Sequence, residues 1–421
     1  MSGRVGSTTY IANGGPCRSC GATLTLPVVD LGMNPPCQNV LTADELREME
    51  RFYPLDVWVC ESCWLVQLPD HISPEENFVE YAYFSSFSDA WLEHCRDDAH
   101  AQIARWELGP ESLVVEFGSN DGYFLRWFAE KGVPVLGVEP ARNIAAQAEE
   151  SGIPTIAEFF GREIAERLAG EGRQADLIAG KNVLAQIPDL NDVAEGLRTL
   201  LAPGGVITIE FPHLQRLIEG NQFDTIYHEH FSYFSLIAVE SLFARHGLRI
   251  FDVDEVWTHG GSLRIYACHA DDATKPESAA VTELRERELA LGYASPDAYR
   301  TFDEQVRRTK RRLLETLIEL KDQGLSIAAY GAAGKGMTLL NYCGIRTDLV
   351  DFAADRNPYK QGKFCPGVHI PILPAEAIDE HRPDVVLILP WNLEAEITAQ
   401  LSHIREWGGR FLVPIPEARL F

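Results

Sequence analysis

Apolar residues alternate along this chain between short continuous runs and stretches spaced like one face of a helix. Buried strands are predicted for the apolar runs at 113–117, 135–138, 177–178 and 205–211. The amphipathic stretches between these runs predict helices, so the middle of the chain is an α/β domain with a mostly parallel sheet. The alternation restarts in the last 100 residues and predicts a second, smaller α/β domain with strands at 327–330, 349–353, 385–389 and 410–413.

Two other segments depart from this alternation. Residues 1–78 are rich in Pro and Cys, lack helical periodicity and are too loosely patterned to fold on apolar contacts alone. Residues 281–322 are charged, with Leu and Ile at helical intervals, and predict a helix that links the two α/β domains. We therefore expect three domains, with boundaries at 1–78, 79–272 and 273–421.

The composition is that of an ordinary globular protein and excludes a disordered or collagen-like chain. The 62 acidic and 37 basic side chains give a formal charge of −25, which opposes binding to nucleic acid or to an anionic membrane. No apolar run reaches the roughly 18 to 20 residues that span a bilayer, and residues 1–16 lack the apolar core of a signal peptide. These features predict a cytoplasmic protein, which we expect to be a monomer.

Four of the nine cysteines form two close pairs, Cys17 with Cys20 and Cys60 with Cys63. Two C-x-x-C turns can surround one tetrahedral zinc ion, and four sulfur ligands leave no open position for a substrate, so the metal is predicted to be structural. Unrelated buried cysteines are the alternative. A nucleic-acid-binding zinc ribbon is a second alternative, which the acidity of the chain disfavours.

A glycine-containing loop, Gly118-Ser119-Asn120-Asp121-Gly122, joins the first predicted strand of the middle domain to an apolar helix start. Doubly wound sheets bind ligands at such a junction, where glycines let the backbone approach the ligand closely. Glu139 follows the next strand, where a carboxylate can accept hydrogen bonds from ribose hydroxyls, and Asn182 follows the third. The loop lacks G-x-G-x-x-G spacing, so an ordinary turn is the alternative to a cofactor loop.

The segment at 226–235 concentrates two imidazoles, a carboxylate and phenols within ten residues. A metal site built on His228 and His230 lacks the i, i+4 spacing of a metalloprotease, and a packed core with satisfied histidines is a second interpretation. We favour acid and base chemistry, because histidine titrates near working pH and the adjacent Glu229 can orient the imidazole or stabilise its charge.

A second glycine loop, at 330–338, follows a predicted strand and opens a helix that carries Gly334 and Lys335. A helix N-terminus with a lysine in it suits a diphosphate, although close packing alone would also explain the glycines. Arg356, Lys360 and Lys363 add positive charge after the next strand, where solvated loop charges are the alternative.

The glycine loop at 118–122, with the residues after the next two strands, resembles the motifs of class I S-adenosylmethionine-dependent methyltransferases. Together with the two C-x-x-C pairs, Y-H-E-H-F-S-Y-F-S and A-A-Y-G-A-A-G-K-G-M-T-L-L-N, it resembles more closely the bacterial sugar C-methyltransferases. That resemblance covers nearly the whole chain and implies a zinc-binding N-terminal domain, a Rossmann-like methyltransferase domain and a C-terminal α/β domain that helps enclose a nucleotide sugar. Cofactor-binding positions implied by it are Glu116, Gly118, Asn120, Asp121, Gly122, Glu139, Phe159 or Phe160, and Asn182.

The resemblance also implies the reaction: S-adenosylmethionine methylates carbon 3 or 5 of a nucleotide-linked 4-keto-6-deoxyhexose, with thymidine diphosphate as the expected carrier, in antibiotic deoxysugar biosynthesis. A base must first remove a proton beside the ketone, and donors must stabilise the enolate oxygen. The family's motif makes His230 the base, with Glu229 and Tyr227 around it, and matches Tyr81 to an active-site tyrosine. Gly334, Lys335 and Arg356 are then expected to bind the nucleotide sugar.

One position departs from the family pattern. Where the family reads N-V-x-A-H-x-P-D, this chain has Gln186 in place of the histidine. Glutamine can hold a hydrogen bond but cannot exchange a proton near neutrality. Either the histidine is only a hydrogen-bonding partner, or this enzyme methylates a different carbon or sugar, or the change has little consequence. O-methylation by the same cofactor machinery, and a zinc-dependent binding or regulatory protein, are the alternative functions.

Overall fold

The computed structural model describes residues 14–73 and 89–421. Numbered along the chain, its strands are β1 (Leu26–Asn34), β2 (Tyr53–Val59), β3 (Val66–Gln67), β4 (Val114–Phe117), β5 (Val135–Val138), β6 (Thr155–Ile156), β7 (Ala175–Lys181), β8 (Leu201–Pro212), β9 (Ser232–Tyr233), β10 (Leu248–Val256), β11 (Ser262–His269), β12 (Ile327–Tyr330), β13 (Phe352–Asp355), β14 (Ile372–Pro374), β15 (Val385–Ile388), β16 (Arg410–Val413) and β17 (Arg419–Leu420).

The helices cover the faces of the sheets or connect their strands. In the same order they are α1 (Asp89–Arg105), α2 (Leu125–Ala129), α3 (Arg142–Glu150), α4 (Arg162–Gly170), α5 (Leu190–Leu200), α6 (Leu214–Glu219), α7 (Leu236–Arg245), α8 (Ala279–Ala290), α9 (Asp297–Arg300), α10 (Phe302–Asp322), α11 (Gly334–Cys343), α12 (Ala377–His381) and α13 (Glu394–Gln400). None of the helices in the two described ranges has the length and apolar character needed to cross a bilayer.

The middle sheet has the strand order β10-β11-β8-β7-β4-β5-β6. Strands β4 to β8 pair in parallel, whereas β10 and β11 add an antiparallel edge. The strands β4, β5 and β7 lie side by side, so the residues that follow them meet at one edge of the sheet, as predicted. This is the position at which open α/β sheets bind ligands.

The C-terminal sheet repeats this arrangement on a smaller scale, with the order β14-β13-β12-β15-β16-β17. Strand β12 has parallel neighbours on both sides, β13 and β15, and leads directly into α11 through residues 331–333. The loops after β12, β13 and β15 therefore meet at a second sheet edge.

The N-terminal sheet, β1-β2-β3-β9, is completed by a strand from the middle of the chain. Val66 and Gln67 in β3 pair with Tyr233 and Ser232 in β9. Strand β9 lies one residue after the Y-H-E-H segment, residues 227–230. Val57 and other apolar residues of this sheet share one buried core with α10 and α11. Burial against the C-terminal part of the chain thus supplies the apolar contacts that the N-terminal segment lacks on its own.

The predicted helix over 281–322 is wrong as a continuous element. The structure ends α8 at Ala290 and begins α10 at Phe302, with the short α9 between them. Gly292 has a positive φ of 85°, which breaks the helix. Helix α10 buries Phe302, Leu313 and other apolar residues in the shared core, so this segment packs against the domains that it connects.

Candidate active site

A cavity of about 530 Å³ lies between the loops of the middle and C-terminal sheets. Its wall includes residues that follow β4, β5 and β7, residues of the Y-H-E-H segment, and residues at the start of α11. Gln38, from the N-terminal segment, completes the wall. All three parts of the chain therefore contribute to one candidate site.

The first glycine loop has the backbone geometry that requires glycine. Gly118 has a φ of +63°, and a Cβ on it would lie 2.5 Å from Cγ2 of Val183. The Gly118 N–H donates to the carbonyl of Val138 at 2.8 Å, which holds the loop against the end of β5. Gly122 has a φ of +77°, and its Cβ would lie 2.9 Å from the Ile153 side chain. A side chain on either glycine would therefore crowd its neighbours, and Gly118 itself borders the cavity.

Glu139 lies at the edge of the cavity after β5. Its carboxylate accepts hydrogen bonds from the backbone N–H of Asn120 at 3.0 Å and of Ala141 at 2.9 Å. Burial raises the pKa of Glu139, which these two N–H groups partly oppose. A carboxylate can accept about four hydrogen bonds, so ribose hydroxyls can use the remaining positions.

Asn182 lies across the cavity, after β7, with a positive φ of 54°. Its Nδ2 lies 3.3 Å from the Nδ1 of His259. Its buried Oδ1 has no hydrogen-bond partner among the described residues. With the glycine cradle and Glu139, this unsatisfied acceptor fits S-adenosylmethionine, because an adenine amino group or a ribose hydroxyl can donate to it.

The predicted cofactor residues divide into two groups. Gly118, Asn120, Glu139, Phe159 and Asn182 line the cavity, whereas Glu116, Asp121 and Gly122 do not. Burial raises the pKa of Glu116, which is fully buried below the loop. Both candidate phenylalanines line the cavity. Phe159 is 44% exposed, whereas Phe160 packs on Phe117 with ring centroids 5.3 Å apart.

Three side chains of the Y-H-E-H segment lie at the cavity, and His230 is the best defined of them. His230 Nδ1 lies 3.0 Å from the carbonyl oxygen of Thr225, and its ring packs 4.0 Å, centroid to centroid, from that of Tyr227. Burial lowers the pKa of His230 to about 4. A carbonyl only accepts, so Nδ1 carries the proton, and the neutral ring keeps Nε2 as an acceptor. His230, Tyr227 and Glu229 all line the cavity.

His228 points away from this cavity. Its Nε2 lies 3.2 Å from the carbonyl oxygen of Pro54, and its ring meets Tyr53 edge to face. Among the described residues, the cysteine tetrad is the group that could hold a metal ion, and neither His228 nor His230 belongs to it. Of the interpretations left open above, this geometry favours a packed histidine at 228 and a cavity-facing imidazole at 230.

Two other predicted catalytic residues have different outcomes. Gln186 lines the cavity from a short 3₁₀ turn, Leu184–Gln186. Tyr81 lies outside the described residues, so its match to an active-site tyrosine stays a prediction.

The C-terminal loops bring two lysines to the cavity. Gly334 and Lys335 line it from the start of α11, and Lys360 lines it from the loop after β13. Lys360 donates to the carbonyl of Ala332 at 2.8 Å, which ties its loop to the glycine loop. Arg356 is exposed and does not line the cavity, so its role in substrate binding stays a prediction.

The four paired cysteines form a separate cluster. The sulfur atoms of Cys17, Cys20, Cys60 and Cys63 all lie within 4.8 Å of one another, with the pairs 17–63 and 20–60 at 3.6 and 3.5 Å. Zinc–sulfur bonds of about 2.3 Å in a tetrahedron require sulfur–sulfur distances of about 3.8 Å. The tetrad therefore fits one tetrahedral zinc ion, and Nε2 of Gln67 donates to the Cys17 sulfur at 3.1 Å.

Sequence reasoning did not identify the buried ionic cluster beside the cofactor loop. Lys181 pairs with Asp98 at 2.6 Å and with Glu210 at 3.0 Å, and Arg264 pairs with the same two carboxylates at 2.8 and 2.9 Å. The charges of Lys181 and Arg264 oppose the effect of burial and hold the pKa of Glu210 below its usual value. This cluster anchors α1 to the middle sheet.

His259 is a second residue that the sequence analysis did not single out. It lines the cavity, and burial lowers its pKa to about 4. The glycine pair that follows it in the sequence could have indicated a tight turn between β10 and β11, where His259 has a φ of +57°.

Three family models match the chain in succession. A model described as "Putative zinc binding domain" matches residues 17–78, "Methyltransferase domain" matches 91–253, and "C-methyltransferase C-terminal domain" matches 257–416. With the cavity and the cysteine tetrad, these matches define a methyltransferase enzyme. Its cofactors are S-adenosylmethionine and zinc, as predicted.

A relative of known class identifies the family. The "C-methyltransferase NovU" of Streptomyces niveus is 40% identical over 406 residues, which cover 96% of each chain. The chain therefore belongs to the C-methyltransferase family that includes NovU, and the predicted resemblance and fold class are confirmed.

Solved structures resemble the chain only distantly. Magnesium protoporphyrin IX methyltransferase (ChlM) from Synechocystis PCC 6803 with bound SAM has a TM-score of 0.32 at 14% identity, over 42% of this chain and 81% of its own. The PH0226 protein from Pyrococcus horikoshii OT3 has a TM-score of 0.37 at 15% identity, over 45% and 95%. TM-scores this low show only a distant likeness between these structures and this chain.

Proposed function

We propose that this enzyme methylates a ring carbon, C-3 or C-5, of a nucleotide-linked 4-keto-6-deoxyhexose, with thymidine diphosphate as the carrier, in antibiotic deoxysugar biosynthesis. The observation that carries this proposal is the placement of His230 in the same cavity as Glu139 and Asn182. A cofactor pocket with an imidazole base in its wall suits carbon as the methyl acceptor. Carbon needs a base because a C–H group becomes a nucleophile only after its proton is removed.

His230 is proposed to remove that proton through Nε2. The hydrogen bond from Nδ1–H to the Thr225 carbonyl fixes the tautomer and the ring orientation. Tyr227 packs against one face of the ring, which restricts its rotation. Because burial keeps the pKa of His230 low, the imidazole is neutral near pH 7 and able to accept a proton.

Glu229, in the cavity wall, is proposed to support this segment through a contact with the N-terminal segment. Its carboxylate is buried, and the thiol of Cys37 donates to Oε1 at 3.7 Å. The N-terminal segment therefore holds one member of the catalytic motif directly.

S-adenosylmethionine, when bound, supplies an electrophilic methyl group. Glu139 would bind its ribose, Asn182 and the phenylalanines at 159 and 160 would bind its adenine, and the backbone of the loop at Gly118 would border its methionine portion. These residues orient the donor, and alignment with the acceptor carbon is a large part of what the protein must provide.

The diphosphate of the substrate is proposed to lie near the N-terminus of α11 and Lys360. The first N–H groups of a helix and its dipole favour an anion, and Lys360 adds a charge at the same loop. A Cβ placed on Gly334 would lie 3.1 Å from the Cys37 sulfur, so a side chain at this position would crowd the N-terminal segment.

The test is to incubate the purified enzyme with S-adenosylmethionine and a panel of nucleotide 4-keto-6-deoxy sugars, and to locate the new methyl group by NMR. A methyl group on C-3 or C-5 is expected; a methyl ether would show O-methylation instead.

The His230→Ala variant should lose nearly all methyl transfer, whereas the neighbouring His228→Gln variant, altered outside the cavity, should retain it. We expect Gln186→His to stay within about tenfold of wild type, a change of about 1.4 kcal/mol.

Robust turnover by His230→Ala would refute the base assignment. The binding of S-adenosylhomocysteine, measured by calorimetry on the same variants, separates lost catalysis from lost folding.

A further inference from the structure

Lys335, the second residue of α11, has a buried and well-partnered ammonium. It lines the cavity together with His230, Tyr227 and His259. Its Nζ donates to Oδ1 of Asn392 at 2.7 Å and lies 4.8 Å from the centroid of the Trp391 ring. Asn392 accepts one of the three N–H groups of the ammonium, and an oxygen atom in the cavity can accept another.

Asp224 and Trp391 hold this ammonium in place. Trp391 donates from Nε1 to Oδ2 of Asp224 at 2.8 Å, so one indole contacts both the lysine and the carboxylate. Burial lowers the pKa of Lys335, and the charge of Asp224 opposes that shift. Asp224 is fully buried and does not line the cavity, so it compensates the lysine charge from behind.

The charge of Lys335 acts at the imidazole end of the cavity. Burial is the largest cause that lowers the pKa of His230 and of His259, and Lys335 lowers both further through its charge. Lys360, in contrast, is bonded to the glycine loop through Ala332 at 2.8 Å. Both lysines line the cavity, but Lys335 is the one of the two whose charge lowers the pKa of His230.

We propose that Lys335 donates a hydrogen bond to the ketone oxygen of the substrate and stabilises the enolate formed when His230 removes the neighbouring proton. This inference rests on the proposed function, and it replaces the expectation that Lys335 binds the diphosphate. Preorganised donors aimed at an oxygen that gains charge are most effective where water is scarce, and Lys335 is half-buried in the cavity wall.

The step is balanced without any further reactant. The C–H bond beside the ketone breaks, and its proton bonds to Nε2 of His230. The electron pair of that bond forms a carbon–carbon double bond, and the π pair of the carbonyl moves to the oxygen. Lys335 keeps its proton and donates a hydrogen bond to this oxygen. The carbon–carbon π pair would then form the bond to the methyl group while the oxygen pair re-forms the ketone. The sulfur–methyl bond of the donor would break with its electron pair left on sulfur, giving S-adenosylhomocysteine, and His230 would release its proton to solvent.

The test compares Lys335→Met with Lys360→Met in steady-state methylation. Lys335→Met should lower kcat by about 10²- to 10³-fold, the loss typical of removing one oxyanion donor, with little change in KM. Lys360→Met, which removes a charge from the proposed diphosphate site, should raise KM and leave kcat nearly unchanged. If Lys335→Met instead raises KM at unchanged kcat, or turns over like wild type, the proposal is wrong.

A second readout follows exchange of the substrate C–H into deuterated solvent with S-adenosylhomocysteine bound. Wild type should exchange the hydrogen beside the ketone, Lys335→Met should do so more slowly, and Lys335→Gln, which retains a donor, should recover part of the rate. If Lys335→Met exchanges this hydrogen as fast as wild type, the role proposed for Lys335 is wrong, and the proposed function is unaffected. Absence of both exchange and methylation in wild type would instead overturn the proposed function.

Discussion

Gly118 offers a quantitative test of the cofactor loop, because replacing it with alanine should cause two separable kinds of damage. Its φ of +63° is a left-handed conformation, which costs a residue with a Cβ about 1 to 2 kcal/mol. The new methyl would also lie 2.5 Å from Val183 Cγ2, and overpacking of this kind typically costs about 1 to 3 kcal/mol. Gly118→Ala should therefore lower the free energy of unfolding by about 2 to 5 kcal/mol.

Gly132 provides a matched control on the same domain. Its φ is +76°, but no atom lies within 4 Å of a Cβ placed on it. Gly132→Ala should thus show the backbone cost alone, about 1 to 2 kcal/mol. Urea denaturation of both variants gives the two free energies of unfolding.

The steric part can be isolated by a double-mutant cycle with Val183→Ala. In that background the Cγ atoms are absent but the Cβ of residue 183 remains 2.9 Å from the methyl at position 118. The cost of Gly118→Ala should therefore fall part of the way toward the value found for Gly132→Ala. Calorimetry should also show that Gly118→Ala weakens the binding of S-adenosylhomocysteine by about tenfold or more, which is about 1.4 kcal/mol. Gly132→Ala should leave this binding unchanged. Equal destabilisation by the two alanines with unchanged affinity would refute this account of the loop.

Two further predictions concern the metal and the buried histidines. The Cys60→Ser variant should lose its zinc, which mass spectrometry measures. It should also lower kcat more than it lowers the affinity for S-adenosylhomocysteine, because the tetrad supports the sheet that precedes and pairs with the strand after the Y-H-E-H segment. A zinc-free variant with normal kcat would contradict this prediction. Burial lowers the pKa of His228, His230 and His259 from 6.5 to about 4, so the unfolded chain binds more protons than the folded one in that range. The free energy of unfolding should accordingly fall as the pH drops from about 6.5 to about 4, and an equally steep fall in His228→Gln would count against the assignment.

The strands were predictable where an apolar run is bounded by turn residues. Runs at 135–138, 327–330 and 410–413 coincide with β5, β12 and β16. The run at 349–353 is displaced, since β13 begins only at Phe352. Val350 instead closes a turn, its N–H donating to the carbonyl of Arg346 at 2.9 Å. A hydrophobic residue that packs from a turn looks, in sequence, like one that packs from a strand.

The candidate site was predictable where a motif stands next to a strand end, and less so where distant charges meet. Lys181, Asp98 and Glu210 would each be placed on the surface by their charge, yet they compensate one another inside the fold. Their separation in sequence gives no signal of this pairing. The monomeric state, the cytoplasmic location and the absence of nucleic-acid binding stay predictions.

The position of the Y-H-E-H segment between the N-terminal and C-terminal domains gives both of these outer domains a part in placing His230. On one side, β9 pairs with β3, whose Gln67 also bonds to a zinc-ligating cysteine. On the other side, Thr338 in α11 donates to the carbonyl of Ile226 at 3.1 Å, directly before the Y-H-E-H segment. The proposed cofactor residues, such as Glu139, instead stand on the middle sheet, and Glu139 has backbone partners in the loops of that sheet. We therefore expect donor binding to depend on one domain and the placement of His230 to depend on all three. Damage to either outer domain should then impair catalysis before it impairs cofactor binding.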